Sequence, residues 1–194
     1  MKEYAKLVGL AKSAVDNGFS RVGKSLDKGS PVDEALMLLS ARAVAVGNAI
    51  VVLAQESLSN EALPLLRSLF ELAAAMRWLV AEDREKRARE VLAEARASDW
   101  EMLWKTSRLK ERLPLLELAD GDARRALGLC VDFMCANTQG LPWGHVFEGN
   151  KETGVTSAEL LRLAAIASGH VVKALDARWP GKFEGAEQLW EKAK

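Results

Sequence analysis

The sequence is short of cysteine and histidine, and it has no excess of either charge. Its two cysteines, Cys130 and Cys135, lie in an apolar stretch typical of helix, where side chains at that spacing point in different directions and cannot easily form a disulfide. Together with His145 and His170 they match no zinc-ligand spacing. We therefore expect reduced cysteines, no metal and no cofactor.

Charge and hydropathy exclude two further classes of protein. The 27 basic side chains equal the 27 acidic ones, so the chain lacks the basic surplus of dedicated nucleic-acid-binding proteins. No stretch reaches the roughly 18 uncharged apolar residues that a membrane span requires, and the start, MKEYAKLVGL, has no apolar run typical of a signal peptide. These absences predict a cytoplasmic protein with no membrane contact.

What the sequence has instead is helical periodicity, because apolar residues recur at steps of three and four. One stripe runs from Tyr4 to Leu26, and after a turn with Ser30 as N-cap a second runs from Val32 to Ser57. Their regular spacing predicts a long antiparallel pair of helices. A third helix, from about Asn60 to Ala81, is apolar nearly all round and is predicted to be the most buried.

The remaining patterns complete an all-α interpretation. A charged helix begins near Glu82 and is interrupted at Pro114, a fifth spans residues 122–136, and a capping box at Thr156 begins a sixth that ends at Arg178. Between these last two, residues 137–155 are rich in glycine and predict one ordered loop. No pattern predicts a strand, a linker or a repeat. We expect a single all-helical domain over residues 1–194, a bundle of five or six main helices.

Charged residues on the apolar third helix mark a candidate site. Arg67 and Glu71 lie one turn apart, and a buried pair of this kind needs further polar partners. We expect His145 on the glycine-rich loop to supply one, because an imidazole bonds a carboxylate and titrates near neutrality. His170, among apolar neighbours, is predicted to be a core residue. The predicted polar site comprises Arg67, Ser68, Glu71, Trp78, Trp143 and His145, with Arg77 beside it.

Two interpretations of this polar site are open. Arg67, Glu71 and His145 are the candidate catalytic residues if the site carries chemistry. The simpler interpretation is a structural polar cluster that holds the loop to the bundle, since buried ion pairs need not catalyse anything. We favour the simpler one and do not expect an enzyme.

The segment LLRSLFELAAAMRWL, from Leu65 to Leu79, resembles the arginine-x-x-x-glutamate helix of an uncharacterised all-helical bacterial domain family. In that family a later loop carries one histidine, and GLPWGHVFEG, with His145, resembles it. The resemblance covers the middle two thirds of the chain and implies an all-helical fold without implying an activity.

That architecture is similar to the HEPN group of helical bundles, which often dimerise and include RNA-cleaving toxins. The ribonucleases of that group carry an arginine and a histidine on one helix, with four to six residues between them. Here no arginine precedes either histidine at that spacing, the nearest being Arg162 with seven residues before His170. The ribonuclease pattern is therefore missing.

A second surface could bind RNA. An aromatic and basic strip comprises Trp104, Lys105, Arg108, Lys110 and Arg112. Aromatic rings among cations bind single-stranded nucleic acid, but tryptophans equally anchor helix contacts and dimer interfaces. The zero net charge favours packing over RNA.

Two functions from different classes follow. The favoured one is a non-enzymatic module that forms a homodimer, as six tryptophans and regular heptad stripes suggest, and that binds a small ligand at the polar site. The alternative is a HEPN-like protein of toxin or defence type that binds or cleaves RNA. Glu71 or His145 would then be the general base and Arg67 would stabilise phosphate charge.

Overall fold

A computed structural model describes residues 1–96, 111–118 and 155–185. Within these ranges the chain forms five α-helices and no strand, which confirms the predicted all-α bundle. The helices are α1 (Lys2–Val22), α2 (Pro31–Gln55), α3 (Leu63–Ala81), α4 (Arg84–Arg96) and α5 (Ser157–Arg178), with short 3-10 helices at Gly23–Ser25 and Leu113–Leu116. The helix predicted over 122–136 and all but the end of the loop 137–155 lie outside the described residues.

The predicted caps define the starts of two helices. Ser30 Oγ accepts a hydrogen bond from the backbone N–H of Asp33, and Pro31 takes the first position of α2, where a missing N–H costs least. Thr156 Oγ1 accepts one from the N–H of Glu159 at 3.2 Å and begins α5. Both helices therefore begin where local side-chain chemistry places them.

The third helix begins at Leu63, later than the predicted start near Asn60. The carbonyl of Asn60 accepts from the N–H of Leu63 in a turn, and its side-chain Oδ1 accepts from the N–H of Val155. Asn60 is therefore used to join the α2–α3 connection to the segment that leads into α5.

The most buried helix is α5, and the prediction that α3 holds this place is wrong. Every residue from Leu163 to Val172 is buried, and α5 packs against α1, α2 and α3. Small side chains such as Ala164, Ala167 and Gly169 let three neighbours approach it closely. Charged residues near both ends of α5 lower its average hydrophobicity below that of α3. Composition alone therefore predicts α3, not α5, to be the most buried helix.

The predicted N-terminal pair is present, although it is not the main contact of α1. Val8 in the first half of α1 lies against Gly47 in the second half of α2, the placement that an antiparallel pair requires. However, α1 contacts α5 more extensively than it contacts α2. Between α1 and α2 lies a narrow apolar groove, lined by Val8, Ala11, Lys12, Val15, Ala43, Val44, Gly47, Ser168 and Val171.

One buried ion pair joins the start of α2 to the end of α5. Arg178 Nε donates to Asp33 Oδ1 at 2.7 Å, and the N–H of Asp27 donates to the other carboxylate oxygen at 3.0 Å. The Asp33 side chain is 1% exposed and that of Arg178 is 29% exposed. Asp33 therefore holds three separate parts of the chain together.

An aromatic cluster packs the segment after α5 onto α1. Phe19 meets both Trp179 and Phe183 edge to face, at ring separations of 5.8 and 5.3 Å. The Phe183 ring covers Gly18, where an added Cβ would lie 2.2 Å from a ring carbon. The glycine is therefore required by packing, which the sequence pattern does not reveal.

Candidate functional site

The predicted ion pair on α3 forms, but it lies at the surface. Arg67 Nε donates to Glu71 Oε1 at 2.9 Å, with the Arg67 side chain 18% exposed and that of Glu71 44% exposed. The prediction of a dry, buried pair is therefore wrong for the carboxylate. The α3 face that carries Glu71 is not covered by the described helices, so water still solvates the carboxylate. Forming the pair therefore costs little desolvation free energy.

Further along α3, Trp78 is stacked by two guanidinium groups of the chain itself. Arg87 lies 4.7 Å and Arg112 lies 4.0 Å from the ring centroid. Arg87 also donates to the Trp78 carbonyl at 2.6 Å, and Arg84 donates to the Val80 carbonyl at 3.0 Å. These two arginines satisfy carbonyls at the C-terminal end of α3, where no intrahelical donor remains.

The structure therefore brings together part of the predicted polar site. Arg67 and Glu71 are bonded, while Ser68 is half-buried on the same helix and Trp78 lies further along it. Trp143 and His145 lie outside the described residues, so the meeting of His145 with Glu71 stays a prediction. Of the basic strip only Arg112 is described, and Trp104, Lys105, Arg108 and Lys110 lie outside.

The histidine that the structure does place is His170, in the middle of α5. It is completely buried, as predicted for a core residue. Burial, together with the positive charges of Arg77 and Lys173, lowers the pKa of His170 from 6.5 to about 3. An enclosed neutral imidazole cannot reach a substrate, so we assign His170 to the core.

Acidification should destabilise the fold through His170. Because its folded pKa lies below its unfolded one, the unfolded state binds the proton first, so stability is lost as the pH falls from 6.5 towards 3. The loss approaches about 1.4 kcal/mol per pH unit within that window. Urea unfolding at a series of pH values should show a steeper fall for the native chain than for His170→Leu. Parallel curves for the two proteins would contradict this assignment.

An exposed apolar stripe runs along α2. We define the α2 face as Leu38, Ala41, Ala45, Asn48 and Val52, all of them exposed and spaced by three, four, three and four residues. Leu38 and Val52 are each 56% exposed, and Met37, next to Leu38 in the chain, is 40% exposed. The stripe predicted from the sequence, Val32 to Ser57, is the other side of α2, and most of it packs into the core. The same spacing rule applied to residue 38 would have found the α2 face.

The composition of α2 also meets a membrane-span criterion. An 18-residue window in Pro31–Gln55 has a mean hydropathy of 2.0, which corrects the expectation that no stretch qualifies. That expectation considered only uncharged runs, and Arg42 alone interrupts residues 35–55. Core helices pass the same test, and α2 does bury Leu36 and Ile50 completely.

No group of three or more potential metal ligands occurs in the part of the chain that the structure describes. Residues 33–126 match the model of a family of unknown function, DUF5677. The match includes nearly all of α2, all of α3 and α4, and Arg67, Glu71 and Trp78, but it ends before His145. It confirms the resemblance to an uncharacterised helical family. No curated protein and no solved structure matches the chain.

Proposed function

We propose that this chain is a non-enzymatic helical module that forms a homodimer through the α2 face. The observation that carries the proposal is the pair of large, half-exposed side chains, Leu38 and Val52, on one heptad-spaced stripe. Exposed apolar surface in one continuous stripe marks an interaction site, whereas scattered exposed residues do not. A heptad repeat is the spacing with which one helix packs along another.

The dimensions of the stripe fit a second helix. From Leu38 to Val52 an α-helix rises about 21 Å, so the surface is long and narrow. Among the exposed positions of the α2 face itself there is no charged side chain, and Asn48 is the single polar one. Fully burying an exposed leucine or valine contributes about 1.5–3 kcal/mol, and Leu38 and Val52, each 56% exposed, would contribute about half of that in each copy. Because association also costs translational and rotational freedom, we expect a weak dimer that forms at tens of micromolar.

Multi-angle light scattering tests the proposal directly. At tens of micromolar the native chain should have twice its monomer mass of 21.2 kDa. Leu38→Glu should be monomeric, because a buried unpaired carboxylate opposes association. Leu10→Glu is the matched control, since Leu10 is also an exposed apolar residue but lies on α1.

Two results would contradict the dimer. One is a native chain that stays monomeric at these concentrations, and the other is a loss of dimer in Leu10→Glu equal to that in Leu38→Glu. Co-sedimentation with phosphatidylcholine and phosphatidylglycerol vesicles is the third arm. A monomer that binds these vesicles through Leu38 would reassign the α2 face to a membrane surface.

A second candidate function, binding of a small anionic ligand or of RNA along α3, is favoured by one observation. The guanidiniums of Arg87 and Arg112 lie against the Trp78 ring on α3, so an aromatic ring and positive charges occur together there. We rank it second because two of the chain's own guanidiniums already stack on this indole. The salt dependence of RNA binding tests this second function, because release of counterions requires the affinity to fall steeply with added salt.

A further inference from the structure

We infer that the two copies pair antiparallel, α2 against α2, with the two-fold axis beside Ala45. This inference rests on the proposed homodimer and names the orientation and register of its interface. It begins from the order of residue sizes along the α2 face. Large Leu38 and Val52 stand seven residues to either side of Ala45, and small or short side chains, Ala41 and Asn48, lie between.

This order is nearly the same in both directions. In an antiparallel pair centred on Ala45, Leu38 of each copy lies level with Val52 of the other, Ala41 with Ala49, and Asn48 with Arg42. The alanines at the centre let the helix axes approach to the short end of the usual 8–10 Å range. The apolar side chains at both ends then close the interface, so one stripe is complementary to itself, as a two-fold dimer requires.

Helix dipoles favour the antiparallel orientation over the parallel one. A parallel pair would align two helix dipoles side by side, whereas in the antiparallel pair the two dipoles oppose each other. Arg42 lies level with Asn48 of the second copy, whose amide oxygen can accept a hydrogen bond from the guanidinium.

Single cysteines placed on the α2 face report the orientation. Opposed Cα atoms across helix axes 8 to 10 Å apart lie about 4–5 Å from each other, within disulfide range. Three full-length variants are needed, Ala45→Cys, Leu38→Cys and Val52→Cys. Each is oxidised mildly, and peptide mass spectrometry identifies the linked positions, so that Cys130 and Cys135 can stay in place.

We expect Ala45→Cys to link to itself, and a mixture of Leu38→Cys with affinity-tagged Val52→Cys to give the mixed disulfide as its main linked product. Leu38→Cys alone should link at least tenfold less, because the two copies of residue 38 lie about 21 Å apart along the antiparallel axis. Circular dichroism checks that each variant, altered at an exposed position, keeps its helix content.

The remaining outcomes separate the inference from the proposed function. Self-linking of Leu38→Cys would overturn the antiparallel orientation and leave a dimer through α2. A native chain that light scattering shows to be dimeric, with no link at any of the three positions, would move the interface away from α2. A monomeric native chain would remove both proposals before any cross-linking.

Discussion

Replacing Arg178 with methionine is expected to lower the free energy of unfolding by about 3–5 kcal/mol, the usual cost of breaking a buried ion pair from one side. Arg178 Nε is bonded to Asp33 Oδ1 at 2.7 Å, and the Asp33 carboxylate is almost fully buried at the start of α2. Methionine is close to arginine in length but cannot donate, so one carboxylate oxygen would lose its charged partner. The melting temperature should fall by about 10 °C.

Arg89→Met is the matched control for this prediction. Arg89 forms an ion pair with Glu85 on α4, but both side chains are well exposed. Surface pairs of this kind contribute about 0–1 kcal/mol, so the control variant should unfold nearly as the native chain does. Urea titration of both variants measures the difference. Equal and small losses of unfolding free energy in the two variants would show that the buried Asp33 carboxylate does not need Arg178 as a partner.

The second large effect is expected at Gly18. An alanine Cβ there would lie 2.2 Å from the Phe183 ring, so the ring must leave its place against Phe19 and Trp179. Alanine improves intrinsic helix stability by up to about 1 kcal/mol, but loss of a buried phenylalanine contact costs about 3–5 kcal/mol. We expect a net destabilisation of about 3 kcal/mol in Gly18→Ala.

Gly9→Ala provides a control on the same helix with the opposite sign. A Cβ at Gly9 meets no atom within 4 Å, so helix propensity alone should stabilise the fold by about 0.5–1 kcal/mol. In a Phe183→Ala background the cost of Gly18→Ala should largely disappear, because the clash has been removed. Additive effects in this double-mutant cycle would show that the Phe183 ring is not the cause.

The contrast between these two glycines shows where sequence reasoning stops. Both lie in the interior of the same predicted helix, and helix propensity gives them the same cost. Only the chain that returns after α5, more than 150 residues later, decides that Gly18 must stay small. The role of Asp33 is likewise invisible in the local sequence, because its partner Arg178 lies 145 positions away.

The α3 site shows the same division. Arginine and glutamate four residues apart on one helix were sufficient to predict the ion pair, because that contact is set by helical geometry. The exposure of Glu71 depends on which faces of α3 other helices cover, and an apolar sequence around it does not determine that. The two stripes of α2 are also both readable in the sequence, but only packing decides which one enters the core and which one remains exposed.

The sequence by itself determined the helical class, the caps at Ser30 and Thr156 and the ion pair on α3, since each depends on residues within one or two turns of each other. The tertiary structure decided that α5 is the central helix, that Asp33 pairs with Arg178, and that the α2 face stays on the surface. These features depend on contacts between distant segments. Shape and close packing select which apolar surfaces meet, and local sequence patterns do not encode that selection.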